Sequence, residues 1–350
     1  MYLYRKKISP YVCFFIIFIV MAFQSNVPGD FYRYAQDFAV YNRTANNFDD
    51  VESGWYCLNR LFSFSNFSIF YFFIAIFEYW ILSKFTKIYV PKKYWILPAI
   101  LFFFDMNMMF FQMKGLRQAL AIELGILALF TLGKGVSIKN AVLSLALSLL
   151  ACSMHHTAFF VIAYIVIYIL ISKSKVLCSE IRFGSYLLPI VAVSLFYFIY
   201  TSKFILIDEW QPILMQLNLD GMEGYFGEME AIEYNFLIDL IKSYFVFYVA
   251  YNLKYSYGIQ RYITLLCLLG LYMDMFLFGM GNLFRTTLYL TIFCLFVYPN
   301  VAFSLKQNHK KVESVFFIIL SIGYVYRTFV TVSMRGMPDA LDNYRFMFEF

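Results

Sequence analysis

The chain has 350 residues, 62% hydrophobic, 22% aromatic and only 14% charged, with a formal net charge of +6. Soluble domains carry about 25% charged residues, so this composition excludes a string of soluble domains and indicates a polytopic membrane protein. Nor is the positive charge that of a nucleic-acid binder: most lysines and arginines fall in short clusters between apolar runs, and neither a Gly-rich phosphate loop nor a C-x-x-C pair is present.

Arg5, Lys6 and Lys7 precede the first apolar run, about 8–25. The pattern resembles a signal peptide, but Ala-x-Ala cleavage chemistry is missing and further runs follow, so an uncleaved first span is expected. A segment of about 26–60 comes next and is expected to be an outer loop holding sugar-contacting residues. It mixes acids with aromatics in Asp30-Phe-Tyr-Arg-Tyr34 and Glu52-Ser-Gly-Trp-Tyr56. Further apolar runs follow at about 61–83, 94–112, 116–132, 138–154, 156–172, 184–202, 235–253, 260–278, 284–304 and 312–333. They are near the length that crosses about 30 Å at about 1.5 Å per residue. The expected fold is therefore all-α: a polytopic integral membrane protein with about eleven transmembrane helices, forming a single multi-span domain over 1–350. The six cysteines are scattered, mostly in apolar runs, and read as small core residues rather than a disulfide framework.

Lys and Arg concentrate on the cytoplasmic side of membrane proteins. Alternate ends of the runs hold 17 of the 28 basic residues, whereas the segments 26–60 and 203–234 are rich in Asp and Glu. The N-terminus is therefore expected inside and the C-terminus outside, with the candidate chemistry at the outer membrane–water boundary. The segment 203–234 contains Asp220-Gly-Met-Glu-Gly-Tyr-Phe-Gly227 and is a candidate lid.

Arg117 and Gln118 open the run 116–132. An arginine at the centre of a membrane helix costs about 2.5–3.5 kcal/mol on insertion scales. Lys114, Arg117, Gln118, Ala121 and Gly125 share a helix face whose small residues admit a close neighbour. Arg117 is thus either a ligand for an anionic group through its planar fork or a snorkelling helix-end cation. Arg285 follows a Gly279-Met-Gly281 turn and shares a face with Asn282 and Tyr289, with the same two readings. His155 and His156 stand between two closely spaced runs, and such an imidazole suits removal of a hydroxyl proton. Adjacent histidines lack the spacing common in metal sites, and no metal is expected. Asp30, Tyr34, Glu52 and Tyr56 suit a sugar, aromatic faces stacking on C–H patches and carboxylates accepting from hydroxyls. Asp30 equally suits a helix N-cap. Asp239 and Lys242, three apart, form a natural ion pair, whereas Glu78 and Glu123 have no obvious partner.

Taken together, Asp30…Tyr34…Tyr41, Glu52-x-Gly54-x-Tyr56, Lys114-Gly-Leu-Arg117-Gln118-x-x-Ala121 and His156-Thr157-Ala158 resemble the EpsG family of Wzy-like bacterial polysaccharide polymerases. Asn282-x-x-Arg285 and Tyr344-Arg345-Phe346 are compatible with it. The resemblance implies polymerisation of undecaprenyl-diphosphate-linked oligosaccharide repeats on the outer face of the bacterial inner membrane. It implies partners in the bilayer and in a chain-length regulator and flippase of the same pathway, and none in nucleic acid. The donor is already activated, so no cofactor is implied. Arg117 and Arg285 would stabilise the departing diphosphate, and His156, or failing that Asp30 or Glu52, would take the acceptor proton. Gln118, Tyr34, Glu52, Tyr56, Asn282 and His155 would hold substrate. The alternatives are a flippase or other transporter of lipid-linked saccharide, or an O-antigen-ligase-like transferase.

Overall fold

A computed structural model of the chain describes residues 8–26, 30–43, 52–105, 108–109, 112–113, 115–181, 186–199, 236–277, 285–335 and 345–346. The segment 203–234 and Asn282 lie outside these residues. Nearly all the regular structure is helical. It divides into two compact units, Met1–Leu170 with Phe316–Phe350, and Ile171–Val315.

In the first unit α1 (Pro10–Ala22) packs against α4 (Phe67–Tyr89) and α5 (Ile96–Phe104). Between α1 and α4, the segment expected as a loop folds into two helices, α2 (Asp30–Arg43) and α3 (Ser53–Leu61). The spacing of Phe31, Tyr34, Phe38 and Tyr41 explains α2, because steps of three and four put all four on one face, and all four are buried. Helix α4 starts later than its apolar run, where the Asn66 side chain accepts from the Ile69 N–H at 2.9 Å. Helix α5 stops short of the expected end because the Asp105 side chain accepts from the Met108 N–H at 3.2 Å and begins a new turn. Nine residues rise about 13 Å, so α5 alone does not cross a bilayer.

Helix α6 (Leu116–Gly133) is the centre of this unit, apolar and covered on almost every side. It packs on α4 and on α7 (Ile138–Met154), where the Ser144 hydroxyl donates to the Ala128 carbonyl at 2.8 Å. Gly125 meets α8 (Phe159–Ile171): a Cβ there would lie 2.2 Å from the Tyr164 hydroxyl oxygen and 2.9 Å from Val161 Cγ2. The small face read from the sequence therefore does seat a neighbouring helix. Inside the unit, Gln112 Nε2 donates to Glu123 Oε1 at 3.3 Å, which supplies a partner the sequence did not reveal. Glu78 Oε1 and Glu123 Oε2 are buried with no hydrogen-bond partner among the described residues. A two-stranded antiparallel ribbon, β1 (Gln24–Asn26) with β2 (Arg345–Phe346), sets Gln24 opposite Phe346 and Asn26 opposite Arg345.

The second unit contains α9 (Leu187–Ile199), α10 (Phe236–Asn252), α11 (Gly258–Leu277) and α12 (Arg285–Gln307). Helix α13 (Lys311–Arg335) begins here and continues into the first unit. Lys242 on α10 pairs across to Asp274 on α11 at 2.7 Å, an ion pair additional to any within α10. Arg261 falls among the charges assigned to short inner loops, yet it is 1% exposed and ties chain segments together. Its Nε donates to the Leu253 and Ser256 carbonyls at 3.1 and 2.8 Å, and its Nη1 to the Val176 and Ser179 carbonyls, both at 2.7 Å. Lysine cannot reproduce that fork. Arg261→Lys is expected to cost about 2–3 kcal/mol, read as a lower Tm in detergent, because buried carbonyls lose charged donors. A Tm equal to wild type would refute this role.

Among the described residues four helices are long and apolar enough to cross a membrane: α4, α6, α11 and α12. Shorter apolar helices join them at Pro10–Ala22, Ile138–Met154, His156–Ile171 and Leu187–Ile199. The chain is an integral membrane protein of helical class.

Candidate active site

Three distant parts of the sequence meet at the start of α6. Gly115 is the N-cap of that helix and Arg117 lies in its first turn. Glu52 is the N-cap of α3. His156 opens the short 3-10 turn His156–Ala158 between α7 and α8, and this turn packs against α6.

Glu52 is the hub. Its Oε2 accepts from Arg117 Nη1 at 2.5 Å, and its Oε1 lies 3.2 Å from His156 Nδ1. Exposure is graded across the three side chains, 13% for Glu52, 27% for Arg117 and 66% for His156, so the imidazole is the member presented to solvent. Burial acts to raise the Glu52 carboxyl. The Arg117 charge, a backbone hydrogen bond and the two histidines together outweigh it and hold the group below its ordinary range.

Tyr34 completes the setting of Arg117. The guanidinium lies 5.7 Å from the centre of the Tyr34 ring and donates to its hydroxyl. Tyr34 in turn meets Trp55 edge-on at 5.4 Å, which locks α2 to α3 beside the site. Arg117 Nε is buried and without a hydrogen-bond partner among the described residues. A cation in the first turn of a helix stands against the macrodipole. That placement makes sense where an anion meets the guanidinium at the helix start.

The other candidates are placed less centrally. Gln118 is 4% exposed and sits in the packed interior rather than at an open mouth. Tyr34 is likewise buried, so its contact is with Arg117 and Trp55 more than with solvent. Tyr56 packs edge-on against Tyr41 at 5.6 Å. Asp30 is the first residue of α2. Arg285 opens α12 and belongs to the second unit.

His155 ends α7 in an extended conformation, φ −155° and ψ 124°. Its Nδ1 accepts from the Thr157 N–H at 3.3 Å and lies 2.7 Å from the Thr157 hydroxyl. The His155 and His156 rings stack with centres 4.9 Å apart. Glu52, His155 and His156 thus offer ligand atoms within 4.8 Å of one another. Hydrogen bonds already explain this cluster, since His155 Nδ1 is capped by Thr157 and Glu52 is shared between Arg117 and His156.

Two contributors escaped the sequence reading. Ser153 packs against Gly54 and fixes how closely α3 approaches α7. Asp37 lies near enough to Arg117 and Arg33 to feel both charges, although burial keeps its carboxyl above the ordinary range. The i, i+3 spacing of Tyr34 and Asp37 was the available signal for the latter. For Ser153 there was none.

A comparison with protein-family models gives a match described as the EpsG family over residues 7–344. Neither the curated proteins nor the solved structures gave a match.

Proposed function

Because the chain belongs to the EpsG family, a Wzy-like polysaccharide polymerase family, we propose that it polymerises oligosaccharide repeats carried on undecaprenyl diphosphate, at the outer face of the bacterial inner membrane. The observation that carries the reading is Glu52 bridging Arg117 and His156. It joins a cation suited to a diphosphate with an imidazole suited to a hydroxyl proton.

A carboxylate only accepts hydrogen bonds, so contact with Glu52 Oε1 puts the neutral His156 proton on Nδ1 and the lone pair on Nε2. In the proposed step the acceptor sugar hydroxyl loses its proton to His156 Nε2 as its oxygen attacks the donor anomeric carbon. The bond from that carbon to the diphosphate oxygen breaks, and the electron pair leaves with the diphosphate. Arg117 and the N-terminus of α6 stabilise that charge. Glu52 touches neither sugar in this scheme. It positions the imidazole and the guanidinium and favours the imidazolium that forms. Water then takes the proton from His156. The Asp30 and Tyr56 positions remain on the sugar-binding side of the proposal, and the orientation rests on the distribution of Lys and Arg.

The test is purified protein in nanodiscs supplied with lipid-linked repeats. A ladder of products one repeat apart is expected without nucleotide. Repeats that bind and cross the bilayer but never lengthen would overturn the reading in favour of transport.

A further inference from the structure

The two adjacent histidines are gripped through the same ring nitrogen by partners of opposite character. At His155 the Thr157 backbone N–H donates to Nδ1 at 3.3 Å. A backbone amide nitrogen has no lone pair to accept with, so Nδ1 holds the imidazole lone pair and the proton of the neutral ring sits on Nε2. With Nδ1 unprotonated, the Thr157 hydroxyl, 2.7 Å from the same nitrogen, can act as a second donor to it. At His156 the partner of Nδ1 is the Glu52 carboxylate at 3.2 Å, which only accepts. There the proton sits on Nδ1 and the lone pair on Nε2.

The local backbone explains how neighbours come to differ. Extended geometry at His155 lets its side chain cap the following 3-10 turn, while His156 lies inside that turn and reaches across to the N-cap of α3. The rings stay stacked, 17° from parallel, and a ring nitrogen of each lies within 4.8 Å of a Glu52 oxygen.

We propose that His155 and His156 form a complementary pair locked in opposite tautomers, His156 as proton acceptor and His155 as a neutral N–H donor to the phosphate oxygens of a polyprenyl diphosphate. The proposal rests on the polymerase reading for its ligand, whereas the tautomers rest on hydrogen bonds alone. A neutral donor suits this position. It stabilises charge on the departing oxygens yet offers no readily lost proton to the base stacked on it. With Arg117 it would give the diphosphate one charged and one uncharged donor set.

The tautomers are read by NMR of protein labelled with 15N-histidine in nanodiscs, at about pH 8 where neutral imidazole predominates. With three histidines in the chain, His155→Gln, His156→Gln and His309→Gln suffice for assignment. The expected pattern is a protonated Nε2 at His155 and a protonated Nδ1 at His156. The same tautomer at both, or a protonated Nδ1 at His155, overturns the proposal. Added farnesyl diphosphate is expected to move the His155 Nε2 resonance, and no movement overturns the assigned ligand.

Turnover gives a second readout. His155→Gln keeps an N–H near the Nε2 position and is expected to retain activity within about 10-fold, while His155→Phe loses about 100-fold. Equal losses in folded protein overturn the donor role. If wild-type protein makes no ladder, the polymerase reading falls while the tautomer result stands. If it makes a ladder with matching tautomers, only the present inference falls.

Discussion

Arg117→Ala is expected to reduce product formation by at least about 100-fold in protein that still reaches the membrane at wild-type levels. Arg117 has no substitute within reach on α6: Leu116 and Gln118 flank it, and Gln118 is turned into the packed interior. Arg117→Lys keeps the charge but loses the planar fork that meets Glu52 on one edge and presents Nε on another. It is expected to be impaired too, although less than the alanine variant. The assay is the ladder from lipid-linked repeats, and a normal ladder from Arg117→Ala would refute the role assigned to it.

The same pair sets an acid limit on stability. The carboxyl of Glu52 titrates lower in the folded protein than its ordinary value near 4.5: burial pushes it up, but the Arg117 charge, a backbone hydrogen bond and the two histidines together outweigh burial. A group whose folded value is depressed stabilises the fold fully above its unfolded value and loses that contribution as pH falls through the folded value. Wild-type Tm should therefore decline as pH drops below about 4.5, and the decline should be shallower in Arg117→Ala. At neutral pH, Arg117→Ala should destabilise more than Arg117→Ala combined with Glu52→Gln, since the single variant strands a carboxylate that is only 13% exposed. Equal Tm values for the two would mean that the pair is not coupled.

Gly54→Ala should be nearly as damaging, although it removes no polar group. A Cβ at Gly54 would fall 2.1 Å from Ser153 Oγ, 2.8 Å from Ser153 Cβ and 2.8 Å from the Ser153 carbonyl oxygen. The hydroxyl is held by its own hydrogen bond to the Leu150 carbonyl at 2.8 Å, and a backbone carbonyl has nowhere to rotate. Helix α3 must therefore lift off α7, at a cost of about 1–3 kcal/mol. Glu52 stands two residues before Gly54, and His155 two residues after Ser153. The displacement is thus delivered directly to the Glu52–His156 contact. The expected result is a loss of product of about 10–100-fold, the effect of roughly an ångström of misplacement at a reacting centre. Ser153→Gly should restore part of it by removing Oγ and Cβ while the carbonyl clash remains. Wild-type turnover from Gly54→Ala would show that this crossing does not position Glu52.

The helical class was legible because a low charged fraction is a fact of composition, and Arg117 drew attention as one cation at the head of an apolar run. Helix α2 was harder to see. Its buried Phe31, Tyr34, Phe38 and Tyr41 alternate with exposed Tyr32 and Arg33, so it carries a helical stripe without the continuous apolarity that marks a span. The early stop of α5 was written in Asp105, a residue that caps turns, but a search for long apolar stretches passes over single caps. The meeting of Glu52 with Arg117, 65 residues away, left no local trace. The His-Thr-Ala motif pointed to His156 over His155, whereas the different partners of their Nδ1 atoms arise from a turn that only the folded backbone reveals.

The first unit is built from both ends of the chain, with Phe316–Phe350 returning to Met1–Leu170 and β2 closing on β1. During synthesis the N-terminal portion holds Glu52, Arg117 and His156 long before its last helix and strand exist. At about 5–20 residues per second, translating the intervening Ile171–Val315 takes roughly 7–30 seconds. Through that interval the first unit lacks the helix and strand that Phe316–Phe350 contribute to it. A stop codon late in the gene would leave the proposed reacting groups intact and remove what closes the unit around them.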